Sequence, residues 1–236
     1  MRLVLLAVVM IGFGGRVACQ ERLAIGDGRL RAEALGTGED RYDLAMIRDG
    51  VRRPIGRYAV SVAPAGDGTL LVVQRTEAMG AATIDSAWVD RATLGPRRLV
   101  SRGPRGVTAL DFGPARVTGY TADQQGARQE VNVPVEAPVF SASLAPWLTR
   151  ALPLALGYEA TARAYGDGLG LVEVRYRVVA RESLVLSDGA TRDAWRVETT
   201  VGPVRAVMWI DVGTRQELKT EATLPNGALF VQERVP

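Results

Sequence analysis

Two aspartates in a repeated phrase are the residues whose type and spacing first suggest chemistry. The phrase AWVDRATLGPRRLVS, residues 87–101, returns at 208–222 as MWIDVGTRQELKTEA. In each copy an aspartate, Asp90 or Asp211, follows a tryptophan and a β-branched residue and precedes a threonine by three positions. A pair of carboxylates is suited to general acid–base chemistry, but an aspartate that ends an apolar alternation also accepts backbone N–H bonds in a turn. We interpret both aspartates as turn caps.

Other sources of chemistry are scarce in this sequence. The chain contains no histidine, which removes the usual general base, the Ser–His and Cys–His nucleophile pairs and the commonest metal ligand. The stretch GDGLG at 166–170 lies between predicted strands, so we interpret it as a hairpin and not as a phosphate-binding loop. Glu39, Asp40 and Asp43 are of a type that binds calcium, but their irregular spacing favours a solvated turn. We therefore predict no catalytic residue, no metal site and no cofactor.

The first nineteen residues have the pattern of an export signal. One early arginine precedes an apolar run that is too short to span a bilayer of about 30 Å. Cleavage after Cys19 leaves Gln20 as the first residue of the mature chain. Alternatively Cys19 is the acylated residue of a lipobox, but Arg16 stands where lipoboxes carry an aliphatic residue, so we favour simple cleavage. Either route makes 20–236 a periplasmic or secreted domain, and acylation would anchor it to a membrane.

The charge distribution argues against nucleic acid as a partner. The whole chain carries a formal net charge of +3, and Arg2 and Arg16 both lie in the segment that we expect to be removed. The remaining arginines are interleaved with acidic residues, whereas a phosphate-binding face needs a concentrated basic stripe. We expect no nucleic-acid partner, and no transmembrane span after processing.

Alternation with a period of two dominates the chain from about Leu23 onward, which is typical of half-buried strands. In LVEVRYRVVAR, residues 171–181, every second residue is apolar and the residues between them are mostly charged. Asp-Gly and Asn-Gly pairs separate such runs and supply the positive φ angles of tight hairpins. The pattern predicts about six antiparallel strands between Gly157 and Val235. It also predicts eight strands in the first half, near 29–35, 40–48, 57–63, 69–77, 83–90, 97–101, 107–112 and 115–121, and one domain overall.

The stretch 141–156, SASLAPWLTRALPLAL, departs from this alternation. Leucines recur every fourth residue from Leu144 to Leu152, which is typical of an amphipathic helix. Ser143 is a suitable N-cap, and Pro153 is a suitable stop. We predict one short helix that links two β segments and covers part of a sheet.

The repeated phrase also carries a family resemblance. WVDRATLGP and MWIDVGTRQELKTEA resemble the W-[VI]-D-x-x-T hairpin of periplasmic lipoprotein-sorting proteins, and PWLTRALPLALGYE resembles the related domain-of-unknown-function 3108 family. The likeness spans roughly 85–235. It implies an open, strongly curved antiparallel sheet, a half-barrel, closed by helices over an apolar concave face, which in the best-known relatives receives the acyl chains of lipoproteins. This chain has one clear helix where those carriers have several lid segments, and none of their site motifs matches here.

Three functional hypotheses follow. The first is a non-catalytic envelope protein that binds a lipid, an acyl chain or another apolar ligand in the concave face, where apolar residues dominate a binding site. Its predicted ligand-binding residues are Trp147, Leu148, Leu152, Met208 and Ile210. The second is a structural or interaction protein that binds an envelope protein partner and no small molecule. The third is a hydrolase of envelope polymers with carboxylates far apart in the chain, for which no pair stands out.

Overall fold

A computed structural model of the protein describes residues 21–235. The predicted signal segment and Cys19 lie outside the described residues. Within them the fold is mostly β, a single curved sheet with one ten-residue helical stretch, as the sequence predicts. The strands are β1 (Glu21–Leu23), β2 (Gly38–Arg48), β3 (Val51–Pro64), β4 (Thr69–Ala78), β5 (Ala81–Asp90), β6 (Pro96–Gly103), β7 (Gly106–Phe112), β8 (Arg116–Ala122), β9 (Arg128–Pro134), β10 (Phe140–Ser141), β11 (Glu159–Gly166), β12 (Gly170–Val185), β13 (Thr191–Val201), β14 (Val204–Asp211), β15 (Glu217–Thr223) and β16 (Leu229–Arg234).

The predicted helix is present over a shorter range than the sequence suggests. It consists of a 3₁₀ turn (Ala142–Leu144), one α-helical turn α1 (Ala145–Leu148) and a second 3₁₀ turn (Thr149–Ala151); we call these ten residues the helical segment. Residues 152–156 do not continue it, because Leu152 is extended and Pro153 follows. Ser143 makes no capping bond to the backbone: the residue before the first 3₁₀ turn is Ser141, which has an extended backbone and no side-chain cap.

Two antiparallel meanders are joined edge to edge. The order in the sheet is β1, β11 to β16, then β2 to β9, and the six strands predicted between Gly157 and Val235 are β11–β16. Only β1 and β10, both paired with β11, run parallel to their partner among the described strands. The strand predicted at 29–35 is wrong, since that stretch forms turns and a 3₁₀ turn at Ala32–Ala34. The edge strand β9 was not predicted.

Because successive strands are antiparallel, their turns fall alternately at two rims of the sheet. We call rim A the rim with the β2–β3, β4–β5, β6–β7, β8–β9, β11–β12, β13–β14 and β15–β16 turns. Rim B carries the β3–β4, β5–β6, β7–β8, β12–β13 and β14–β15 turns. The two meanders share these rims because β16 pairs antiparallel with β2, which sets Leu229 beside Ile47.

The sheet curls far enough for distant strands to touch. The Thr108 hydroxyl in β7 donates to the Asp167 carboxylate in the β11–β12 turn at 2.6 Å. Residues 24–37 cross rim B, where the Gly26 N–H donates to the Thr93 carbonyl at 2.9 Å. The concave face therefore surrounds a core into which the helical segment packs, and alternation within strands such as β12 sends Val174, Tyr176 and Val178 into that core.

The repeated phrase is a repeated hairpin, and the turn-cap interpretation of both aspartates is confirmed. Asp90 Oδ1 accepts the N–H groups of Ala92 and Thr93 at 3.1 and 2.9 Å. Asp211 Oδ1 accepts those of Gly213 and Thr214 at 2.9 and 2.7 Å.

The two hairpins also share a backbone distortion. Leu94 in the first and Arg215 in the second have positive φ angles of 57° and 59°, which non-glycine residues adopt only when the surroundings enforce it. Each hairpin contains a register shift directly after its tryptophan, Trp88 or Trp209. The same sequence phrase therefore builds the same bulged turn at rim B in both meanders.

Loss of the Asp90 cap should lower the stability of the fold and change how that stability depends on pH. The Arg97 guanidinium and the bonded Thr93 hold the pKa of Asp90 at about 2. Because this folded-state value lies below the ordinary one, the stabilisation is present above about pH 3.8 and is lost as the pH falls towards 2. We expect Asp90→Ala to lower the free energy of unfolding by about 1–2 kcal/mol at pH 7.

Urea denaturation at pH 7 and at pH 3 measures this effect. The deficit of Asp90→Ala should shrink at the lower pH. Glu198→Ala is a suitable control, because Glu198 is exposed and has no ion pair within residues 21–235. If Glu198→Ala lowered the free energy of unfolding as much as Asp90→Ala does, the capping role of Asp90 would be contradicted.

Candidate functional site

The concave face of the first meander has an apolar zone and a polar strip. One cross-strand row consists of buried apolar residues only: Val62, Val72, Ala87, Leu99 and Leu110. We call this row and the core around it the apolar zone. The next row towards rim A starts at Val60 in β3 and is polar from β4 to β8, where it consists of Gln74, Asp85, Ser101, Thr108 and Thr121; we call these five residues the polar strip.

The structure places the five predicted ligand-binding residues inside the core. All five side chains belong to residues that are less than 5% exposed: Trp147, Leu148, Leu152, Met208 and Ile210. The three from the helical region join the main core cluster, whereas the two from β14 pack with Val178 and Val197. Leu154 contacts both clusters and links them. Their predicted role in ligand binding stays a prediction.

Few polar bonds hold the first part of the helical segment. At its N-terminal end, towards rim A, the Gln74 amide donates to the Ser143 carbonyl at 3.2 Å. In its middle, the buried Tyr176 hydroxyl donates to the Ala145 carbonyl at 3.1 Å. The indole N–H of Trp147 is buried without a hydrogen-bond partner, which is an uncommon and costly arrangement. Apolar burial is thus the main stabilising contact of this part.

The C-terminal end is held by a buried ionic network at rim B. Arg150 Nη1 lies 3.1 Å from Asp40 Oδ2, and both side chains are nearly inaccessible. Arg150 Nε donates to the Arg215 carbonyl at 3.0 Å, and Arg215 Nε donates back to the Arg150 carbonyl at 2.7 Å. Asp40 also receives bonds from Gln216 and Arg234. This network fixes the helical segment to β2, β16 and the repeated turn.

A second buried carboxylate lies next to this network. Glu217 is buried at the start of β15, and its Oε1 accepts bonds from Thr220 at 2.6 Å and Gln232 at 2.7 Å. Burial raises the pKa of Glu217, although these bonds and Arg150 act in the opposite direction. Burial, reinforced by the charge of Glu217, also raises the pKa of Tyr42. The Tyr42 ring packs against Tyr58 with centroids 5.5 Å apart.

The polar strip opens into a cleft at rim A that no sequence pattern predicts. The cleft has a volume of about 470 Å³ and is lined by Ser101, Thr108 and Thr121 of the strip together with the turns around them. Burial raises the pKa of Asp85, and a hydrogen bond with Ser101 lowers it. One Asp85 oxygen is buried without a partner. The strip therefore offers hydroxyl groups and an incompletely bonded carboxyl group.

The acidic residues considered for calcium are not brought together. Asp40 points into the core, while Glu39 and Asp43 alternate with it on the exposed convex face, so the three form part of β2 and not a solvated turn. Among residues 21–235 no group of three acidic, histidine or cysteine side chains is arranged to hold a metal ion. In the same range no helix is long and apolar enough to cross a membrane.

Breaking the Arg150–Asp40 pair should strongly destabilise the fold. Loss of one partner leaves a buried charge incompletely compensated, so we expect Arg150→Met to reduce the free energy of unfolding by roughly 3 kcal/mol. The double variant Arg150→Met with Asp40→Leu should recover a large part of the loss. Urea denaturation of both variants measures this, and the exposed pair Arg181–Asp193 provides a control expected to cost less than about 1 kcal/mol. No recovery in the double variant would contradict the pairing.

Glu217 should make stability fall with increasing pH. Its pKa is raised in the folded state, so its favourable contribution is complete below the ordinary value of about 4.5 and is lost as the pH rises through the folded value. Glu217→Gln keeps an oxygen that accepts the Thr220 and Gln232 bonds but does not ionise. We expect its urea-derived stability to decline less than that of the wild type between pH 5 and 8. The same dependence of stability on pH in Glu217→Gln and the wild type would contradict the effect of burial on the pKa of Glu217. Glu221→Gln, at a less buried neighbour, is the control.

Comparison with known proteins identifies the family. A family model described as protein of unknown function (DUF3108) matches residues 41–233, and no curated protein matches the sequence. The hypothetical lipoprotein YmcC from Escherichia coli aligns at 12% identity and a TM-score of 0.33, over 89% of this chain and 90% of that one. A DUF1329 family protein from Desulfovibrio piger aligns at 11% identity and a TM-score of 0.30, over 86% and 87%. Because the family model spans most of the sequence, the chain belongs to the DUF3108 family.

Proposed function

We propose that this protein is a non-catalytic protein of the cell envelope that binds an apolar or lipidic ligand in its concave face. The observation that carries the proposal is the covering of the apolar zone by a short, separable helical segment. That segment is flanked by the two-residue strand β10 and by the irregular residues 152–158. It therefore belongs to no strand pair and can move without breaking the sheet.

Ligand entry requires this movement. Trp147, Leu148 and Leu152 fill the space above the apolar zone, so an acyl chain occupies it by replacing their contacts. A helix of this length has little intrinsic stability in water, and it depends on packing against the sheet. A ligand with comparable apolar area supplies the same kind of burial to the sheet, which keeps the exchange energetically close to balanced.

The cellular location is part of the proposal. An export signal followed by cleavage after Cys19, or acylation of Cys19, places the domain in the periplasm or at a membrane surface. Lipids and acyl chains are abundant there, and so are other envelope proteins. The absence of histidine from the chain makes binding a more economical explanation than catalysis.

A second function is supported by the completeness of the core. Since all five predicted ligand-binding residues are buried, the helical segment also fits a permanent part of the fold. The protein would then serve as a structural or interaction protein, and its partner would bind at exposed loops. The two functions differ in whether the segment leaves the sheet.

A disulfide that holds the helical segment on the sheet distinguishes the ligand-binding function from the interaction function. A Cβ atom built at Gly166 would lie 3.0 Å from Ala142 Cβ, and a small outward shift of the segment brings the two atoms to the separation of about 3.8 Å typical of disulfides. We expect Ala142→Cys with Gly166→Cys to join the rim A end of the segment to β11. The oxidised variant should bind a dansyl-labelled fatty acid at least tenfold more weakly than the wild type.

The reduced form of the same variant is the matched control and should bind like the wild type. The chain from Gln20 onward contains no other cysteine, so the disulfide is unambiguous. Equal binding by the oxidised and reduced forms would contradict entry by displacement of the segment. Lack of binding by the wild type, with no lipid found by mass spectrometry after extraction, would favour the interaction protein.

A further inference from the structure

Exposed apolar side chains are concentrated at rim A. Eight large apolar residues are substantially exposed among the described residues. Five of them lie in or directly beside rim A turns: Val51, Met79, Leu169, Leu171 and Val204. These five come from four different hairpins, so the pattern belongs to the rim and not to one loop.

Met79 is the most exposed of these residues and the least suited to its turn. It is 82% exposed and has a φ of 51°, followed by Gly80 at 78°. The β2–β3 turn has the same two-residue geometry, with Asp49 at 52° and Gly50 at 76°. Aspartate is favoured in this left-handed conformation and methionine is not. An exposed methionine there has no folding advantage, which points to a contact outside the chain.

Arginines accompany the apolar tips. Arg52 and Arg53 directly follow Val51, and Arg205 directly follows Val204. All three arginines are exposed. Within residues 21–235, Arg53 and Arg205 make no ion pair, and Arg52 has only a long contact of 3.5 Å to Glu233. Apolar turn residues flanked by exposed arginines fit the surface of a lipid bilayer, where phosphate groups lie above the hydrocarbon.

Rim B has a different character. Its repeated turns are closed by Asp90 and Asp211, which bond to the turn backbones, and residues 24–37 cross over it. Val185, 66% exposed, lies beside the β12–β13 turn and is the large exposed apolar residue of this rim's turns. It provides a matched control for substitutions at rim A.

We propose that rim A is a docking surface for an anionic lipid bilayer. Val51, Met79 and Val204 enter the headgroup region, while Arg52, Arg53 and Arg205 contact lipid phosphates. The inference rests on the rim itself and not on ligand binding beneath the helical segment. It therefore stands if the concave face proves to be permanently filled.

Vesicle flotation tests the proposal with the chain from Gln20 onward, which contains all sixteen strands and lacks Cys19. The probes are vesicles of phosphatidylcholine and phosphatidylglycerol in a three-to-one ratio, and vesicles of phosphatidylcholine alone. We expect the wild type to float with the anionic vesicles, and to do so less at high salt because the arginine contribution is screened. Val51→Asp with Met79→Asp should weaken flotation at least tenfold, while Val185→Asp should leave it unchanged.

We expect the variant to fold, because aspartate suits the backbone of residue 79 better than methionine does; circular dichroism of each variant verifies this. Arg53→Gln with Arg205→Gln should remove most of the salt dependence. The proposal is overturned if the wild type does not float with anionic vesicles, or if Val185→Asp weakens flotation as much as the rim A variant. It is also overturned if the rim A variant abolishes self-association in sedimentation but not flotation, since a second copy would then be the partner.

Discussion

The structure depends on covering the apolar zone of one open, curved sheet. A sheet that is not closed into a barrel exposes its concave side chains to water unless another element packs on them. Here the helical segment and the residues after it supply this cover. Full burial of Trp147, Leu148 and Leu152 contributes about 1.5–3 kcal/mol for each side chain. The buried Arg150–Asp40 pair contributes little net stability, because the cost of desolvating both charges offsets their attraction. Apolar packing therefore holds the helical segment in place, and the ion pair determines where its C-terminal end lies.

Different contacts hold the two ends of the helical segment and limit its movement. The ionic network is at the rim B end. At the rim A end the segment follows β10, which pairs with β11, and accepts one amide bond from Gln74. Exposing three large side chains costs about 5–9 kcal/mol by the same area relation, so opening without a ligand is rare. On the proposed function, a ligand must bury a similar apolar area to populate the open form.

The sequence predicted those parts of the fold that depend on neighbours in the chain. Strands β11–β16 were predictable from their alternation and from Asp-Gly and Asn-Gly turns, and the capping role of Asp90 and Asp211 followed from local turn chemistry. The stretch 29–35 alternates like a strand, but Arg29 pairs with Asp27 and Glu21 and Arg31 bonds to the helical segment. The Arg150–Asp40 pair joins the helical segment to β2 across 110 residues, and the polar strip arises from the pairing register of five successive strands. No local pattern contains that register, so the cleft at rim A could not be predicted.

The positions of the polar strip and of rim A suggest a common orientation for both proposals. Moving from the apolar zone towards rim A, a ligand meets first the apolar row and then the hydroxyl groups of Ser101, Thr108 and Thr121. An amphiphilic molecule satisfies both surfaces only with its chain under the helical segment and its polar head at the strip. Because three of its five side chains are hydroxyl groups, the strip is suited to a head that forms hydrogen bonds. The head would then face the rim that we propose to dock on a bilayer. Taken together, the two proposals have a lipid pass between the membrane and the concave face without turning around.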